Sequence, residues 1–418
     1  MTGRSWRELA GVLSAQAVAW TGTRLSAIAL PWFVLTTTGS ATRTGVVVFA
    51  EMGPYVIAQL LSGPVIDRVG PARISITGDL VSMVAVAMVP LLYAIDLLTF
   101  WVLLPLVAVV GVFRGPADAS KTVFIPAATR AARVPLERGT GIASTIERLA
   151  STVGPALAGV VVAALGGPYA LVVTAALFGS GALIVAVTAS RRSTPHQPDE
   201  TEAEDSYMSR LRAGVRFLRR DRLLRSIAGM VAVTNLLDAA WTAVLLPVWA
   251  RDSGHGPVVI GLLLGVLSGC AVVSGLVAAA VAHRLPRRPV YLIGFLLGGF
   301  PRFLPLALGM PLEVTILVYA VCGLGSGFIN PIIGAIQFER VPEGMYGRVR
   351  TLVVAVAWSG IPFGGLVGGL LVTGIGLAPA LLACGAVYLL TTTLPALLPS
   401  MRREWSTKDK PAPVPAVE

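Results

Sequence analysis

Apolar residues in this chain come in long blocks, not in the alternation of a half-buried strand or the single stripe of a soluble helix. Twelve blocks stand out, over 10–36, 44–65, 74–95, 98–117, 139–164, 167–189, 224–250, 258–281, 290–308, 313–338, 349–372 and 378–399. Most run for about 18–25 residues, enough for a helix to cross a ~30 Å hydrocarbon layer. The pattern predicts an all-α integral membrane protein with twelve transmembrane helices. Arg4 and Arg7 precede the first block as in a signal peptide, but no small-residue cleavage site follows it, so it is read as a retained first helix.

The blocks fall into two sets of six. Leu30-Pro31 recurs as Leu246-Pro247 and Gly45 as Gly261, while Val134-Pro135 recurs as Val341-Pro342 and Pro155 as Pro362. Two six-helix parallel pseudo-repeats are therefore expected: a bundle over 1–189, a linker over 190–223, a second bundle over 224–399 and a tail over 400–418. Within the linker, Ser193 to Asp205 is Pro-rich and acidic and is expected to be disordered. From Ser206 onward, Tyr207, Leu211, Val215 and Leu218 alternate with Arg216, Arg219 and Arg220 at helical spacing, the pattern of a basic amphipathic helix on a lipid surface.

Composition agrees with a membrane setting. Of the 418 residues 55% are hydrophobic and only 13% charged, about half the charged share of a soluble domain. The 45 glycines and 29 prolines lie largely inside apolar blocks, where they mean close helix packing and kinks. Cys270, Cys322 and Cys384 have no metal or redox spacing. The net charge of +11 first suggests nucleic acid. Nearly all of the basic residues, however, fall on segments facing one side, with Arg43 and Arg251 alone on the other. That asymmetry puts both termini in the cytoplasm of a multi-pass plasma or inner-membrane protein, and it removes nucleic acid as a partner.

Between the second and third blocks lies Gly63-Pro64-Val65-Ile66-Asp67-Arg68-Val69-Gly70-Pro71-Ala72-Arg73. It reads as a tight turn: Gly63 for close helix approach, Asp67 to face a helix N-terminus, Gly70 for the reversal, Arg68 and Arg73 to hold the inner side. The stretch resembles the G-x-x-x-D-R-x-G-R-[KR] loop of the major facilitator superfamily, with Pro71 and Ala72 where two basic residues stand in the family. The second copy has decayed to His283-Arg284 followed by Pro286-Arg287-Arg288. The fifth block reads Gly141-x8-Ala150-x3-Gly154-Pro155-x2-Ala158-Gly159, similar to the antiporter signature G-x8-G-x3-G-P-x2-G-G; the other reading is an ordinary small-residue packing seam. Ala29-Leu30-Pro31-Trp32, Thr38-Gly39-Ser40 and Gly347-Arg348-Val349 are similar to the macrolide-efflux and Tap-like multidrug exporters. The resemblance implies proton-driven export of a lipophilic drug or secondary metabolite.

It also implies that the first, fourth, seventh and tenth helices line a central cavity. Candidate cavity residues are Gln16, Trp20, Tyr55, Gln59, Phe113, Asn235, Trp241, Thr242, Phe328 and Trp358. Ionisable groups inside spans are costly and usually functional or paired. Asp238 and Arg24 belong at similar depth on symmetry-related helices and form either a proton-coupling site or a structural ion pair. Glu51 is the rival carrier. Glu147 and Arg148 belong either to an inner gate with the signature loop or to a binding surface. Arg114 resembles the family's fourth-helix Arg, or else snorkels to lipid phosphate.

No nucleotide loop or H-E-x-x-H motif is present, and the three His are scattered. The reading is therefore a monomeric secondary transporter, not an enzyme, with no cofactor and no metal. Its partners are a small lipophilic substrate, protons and the lipid bilayer. Alternatives are a metabolite uptake or facilitated-diffusion carrier, and, from another class, a non-transporting sensor or lipid-handling protein.

Overall fold

The computed structural model describes residues 2–188, 215–281, 284–341 and 346–397, and its regular elements are helices throughout. Eleven helices are long and apolar enough to cross a membrane, and the bent pair Ala41–Leu60 with Ser62–Val69 makes a twelfth span. They follow the twelve sequence blocks in order. The acidic linker segment, His283 and the tail lie outside the described residues; residues 215–220 are helical, with Leu218 buried and Arg216, Arg219 and Arg220 exposed.

Helix α1 (Thr2–Thr38) ends at Gly39, whose φ is 66°. Ser40 then caps α2 (Ala41–Leu60), accepting from the Arg43 amide at 3.2 Å. The charged turn departs from expectation. Helix α2 stops at Leu60, and α3 (Ser62–Val69) sets off at 61° to it. Pro64 supplies the reason: it lacks an amide donor, and its ring would clash with the Leu60 carbonyl if α2 ran on. The Ser62 hydroxyl takes up the Gln59 carbonyl at 2.7 Å. Asp67 and Arg68 therefore ride exposed on a short helix. Gly70, at φ 93°, makes the reversal into α4 (Pro71–Ala94). The close helix approach expected at Gly63 is not made: a Cβ there would meet nothing within 4 Å.

A second departure is α5 (Phe100–Ala131), which continues fourteen residues past the expected end at 117. Arg114, Asp118 and Lys121 recur at i, i+4 and i+7 on one buried face of it. Lys121 is thus not a loop charge, and Arg114 does not snorkel; both point into the protein. Helices α6 (Leu136–Leu165) and α7 (Gly167–Thr188) complete the first six spans.

Next come α8 (Arg222–Ala240), a π-helical turn at Trp241–Leu245 and α9 (Leu246–Asp252), which together form one span, then α10 (Gly256–Val281). Helix α11 (Arg287–Gly298), a 3-10 turn at Phe300–Arg302 and α12 (Phe303–Ala307) make the following span. Helices α13 (Leu312–Ser326), α14 (Ile329–Arg340), α15 (Tyr346–Trp358), α16 (Ile361–Ile375) and α17 (Leu377–Leu397) follow.

The chain divides into two compact units, one of Met1–Gln197, Asp238–Ser268 and Ile361–Ala380, the other of Pro198–Leu237, Gly269–Gly360 and Leu381–Glu418. In the first, α5 packs on α2 and α4, and α7 packs on α1 and α4. Missing side chains let backbones touch. A Cβ at Gly111 would overlap the Glu51 carbonyl, and one at Gly115 would lie 2.5 Å from that of Tyr55. In the second unit, α11 lies on α13. The Arg302 guanidinium is stacked 5.1 Å from the ring centres of both Phe303 and Tyr388. Asp221 caps α8 through the Leu224 amide and accepts from Arg340 Nε, each at 2.9 Å.

Candidate functional site

The interior of the first unit holds a charge network that the sequence reading did not assemble. Asp79 on α4 is fully buried, and both of its cationic partners grip one oxygen, Oδ1: Arg114 at 2.6 Å and Lys121 at 2.8 Å. Arg114 turns its other fork to Asp118, one helical turn along α5, also at 2.6 Å. Its remaining donors go to Thr23 Oγ1 and the Ala19 carbonyl of α1, each at 3.2 Å. The guanidinium plane lies 4.3 Å from the ring centre of Phe178 on α7. Tyr55 on α2 donates to Asp118 Oδ2 at 3.3 Å. Two carboxylates and two cations thus neutralise each other where five helices converge, and the delocalised guanidinium is the side chain suited to such a hub.

Glu51 lies one turn from Tyr55 on α2, half-buried, and lines a small cavity with Ser26, Leu30, Val86, Val89, Val107 and Leu171. Its carboxyl has no hydrogen bond or ion pair among the described residues. The bundle therefore contains a balanced network and, beside it, a carboxyl in apolar surroundings.

The other expected residues scatter. Gln16 is buried on α1, and Gln59 packs against Gly115. Trp20 is half-buried on α1, as are Phe328 and Trp358 beside α14 and at the end of α15. Phe113 is exposed. Arg24 donates to Ser151 on α6 at 2.9 Å, and its stem fills the space above Gly154. Asp238 is half-buried on α8; its carbonyl accepts from Thr242 at 2.9 Å, just where the helix loosens into the π turn that buries Trp241. Asn235 donates to the Ala357 carbonyl at 2.8 Å, a structural tie in the second unit.

Of the antiporter-type helix, Pro155 and Gly159 are buried, and Gly159 faces Gly261 and the Pro257 carbonyl on α10, whereas Gly141 is exposed with open space above it. Glu147 and Arg148 are exposed, as is Arg73, and no ion pair joins them to Asp67 or Arg68 among the described residues.

Asp79, Asp118 and Lys121 are the residues missed. Asp79 stands alone in an apolar block, a signal that was available. The other two were lost because the fourth block was ended at 117, just where charges begin.

The match to known proteins covers almost the whole chain. The profile described as transmembrane secretion effector fits residues 8–417. The multidrug efflux pump Tap of Mycobacterium tuberculosis is 32% identical over 395 residues, which is 94% of this chain and 93% of that protein. The Mycolicibacterium fortuitum pump of the same name is 28% identical over 410 residues, 96% and 98% of the two chains. Among solved structures, the nucleoside transporter NupG superposes with a TM-score of 0.72 at 14% identity, covering 93% of this chain and 98% of that one. A bacterial homologue of the lysosomal transporter Spinster gives 0.71 at 12% identity, covering 99% and 100%. At those identities the structures speak for the fold, while the profile and the sequence relatives name the group: this chain is a multi-pass membrane transporter of the major facilitator superfamily and belongs to its transmembrane secretion effector family.

Proposed function

We propose that this transporter exports a small lipophilic compound in exchange for protons, with Glu51 as the proton carrier. The relatives named as multidrug efflux pumps support the export of drug-like molecules. The observation that carries the coupling reading is the contrast between Glu51 and its neighbours. Asp79 and Asp118 are each held by a cation at 2.6 Å, so their negative charge is balanced in place. Glu51 lines a mostly apolar cavity and makes no ion pair among the described residues. An ionisable group facing a bundle interior within a span is a candidate site on those grounds alone.

In this reading both termini are cytoplasmic, the halves 1–189 and 224–399 alternate about the linker as a monomer, and Asp67 on α3 serves the inner gate. A proton taken by Glu51 from the acidic outside is released inward, and the substrate leaves in the opposite sense; the exchange requires only that proton and substrate favour different states of the carrier. Asp238 is the second candidate carrier, because it adjoins a π turn, an irregularity frequent at functional sites.

The deciding measurement is export of a lipophilic dye from loaded vesicles under an imposed pH gradient. Glu51→Gln abolishes gradient-driven export and leaves downhill leak, while Asp238→Asn does less. The reverse order transfers the role to Asp238. Full coupling in both variants removes the named carriers and favours facilitated diffusion.

A further inference from the structure

Six side-chain oxygens in the first bundle are buried and have no hydrogen-bond partner among the described residues: Gln16 Oε1 on α1, Gln59 Oε1 on α2, Thr152 Oγ1 on α6, and Ser75 Oγ, Asp79 Oδ2 and Ser82 Oγ on α4. The three residues on α4 are at most 1% exposed. Buried polar atoms are ordinarily paired, and those left over are met by ordered water. Those three also fall in register along one helix. Ser75, Asp79 and Ser82 follow one another at i, i+4 and i+7, so they share a face of α4. Residues three and four apart are side-by-side neighbours on a helix, with Cβ atoms about 5–6 Å apart; no direct bond joins these three, and one water between each pair would bridge them. One turn beyond Ser82, Val86 and then Val89 line the cavity that holds Glu51.

We propose that this row is a hydrated proton route confined to the first bundle, leading from the Glu51 cavity past Asp79 Oδ2 to Ser75 near the start of α4. The inference rests on the proton-exchange reading above and adds the path by which the proton leaves. Each hydroxyl or water accepts a proton from one side and gives up its own to the other, so no group is consumed. The charges around Asp79 favour this use of one oxygen. Arg114 and Lys121 from α5 occupy Oδ1, and Asp118 and Tyr55 lie on the far side of Arg114. Oδ2 looks instead toward Gly181 of α7 and the Ala15 carbonyl of α1, which bring no charge. A Cβ at position 181 would stand 3.4 Å from Oδ2 and 3.8 Å from that carbonyl. Glycine there keeps open the space beside the oxygen, and a larger side chain would fill it.

The test uses the full-length protein in proteoliposomes with ethidium as the transported probe and an internal pH dye. S75A/S82A lowers ethidium-evoked proton flux by roughly tenfold or more, while ethidium binding and thermal stability stay at wild-type values; S75T/S82T, which restores the hydroxyls, recovers the flux. G181V, which fills the space from the α7 side, gives the same loss by an independent change. Wild-type proton flux in both S75A/S82A and G181V overturns the route while leaving proton exchange intact. Ethidium transport by the wild type without any proton movement overturns the exchange reading and the route with it.

Discussion

Arg114 and Asp79 meet at 2.6 Å with 4% and 0% of their side-chain surfaces accessible, joining α5 to α4 at the centre of the first bundle. Removing one partner of a buried pair leaves the other charge uncompensated, a loss of about 3–5 kcal/mol. Arg114→Ala is therefore expected to cut membrane abundance and lower the melting temperature of the purified protein sharply. Asp79→Ala is expected to be worse than Asp118→Ala, because Asp79 alone balances two cations. Arg114→Lys keeps the charge but cannot hold Asp79 and Asp118 with one fork, and falls between. Equal melting temperatures for Asp79→Ala and Asp118→Ala would contradict this ranking.

Two glycines on neighbouring helices should respond in opposite ways. Gly111→Ala drives a methyl group into the Glu51 carbonyl, an overpacking cost of about 1–3 kcal/mol that also shifts α2 where Glu51 is carried. Gly63→Ala meets open space on an exposed helix and is expected to stay within about 0.5 kcal/mol of wild type. Thermal melts of the two variants in one detergent decide it; a Gly63 variant less stable than the Gly111 variant would be incompatible with this packing.

Asp221 does two jobs with its two oxygens, capping α8 and pairing with Arg340. Asp221→Asn retains an oxygen for the cap, worth about 1 kcal/mol, and gives up the charge-assisted bond, worth about 1.5–3 kcal/mol. Asp221→Ala gives up both. The alanine variant should thus unfold first on heating, with the asparagine variant between it and wild type. Identical melts for the two substitutions would mean that the cap contributes nothing.

How much of this was legible in the sequence differs from element to element. The twelve spans were readable because burying an apolar helix in lipid depends on the composition of one segment alone, a sum any window can take. The reversal at Gly70 was readable for a similar reason: a single left-handed residue followed by proline is a local constraint. The end of α5 was not. Arg114, Asp118 and Lys121 look like a helix terminus when hydropathy is counted residue by residue. They become interior once Asp79, on another helix, supplies the opposite charge.

The same letter also meant different things in different places. Gly63 and Gly111 both suggested close packing, yet only Gly111 points at another backbone, because the bend at Pro64 turns Gly63 outward. Arg24 was matched with Asp238 by repeat symmetry alone, and its hydrogen bond to Ser151 on α6 was not foreseen. That this chain crosses the membrane, how often, and which kind of transporter it resembles could be read from the residues in order, since those depend on segment composition and local backbone chemistry. Which charges meet, and which carboxyl makes no ion pair among the described residues, came only from the folded arrangement, because the energy of a buried charge belongs to the pair and its surroundings and is written in neither residue separately.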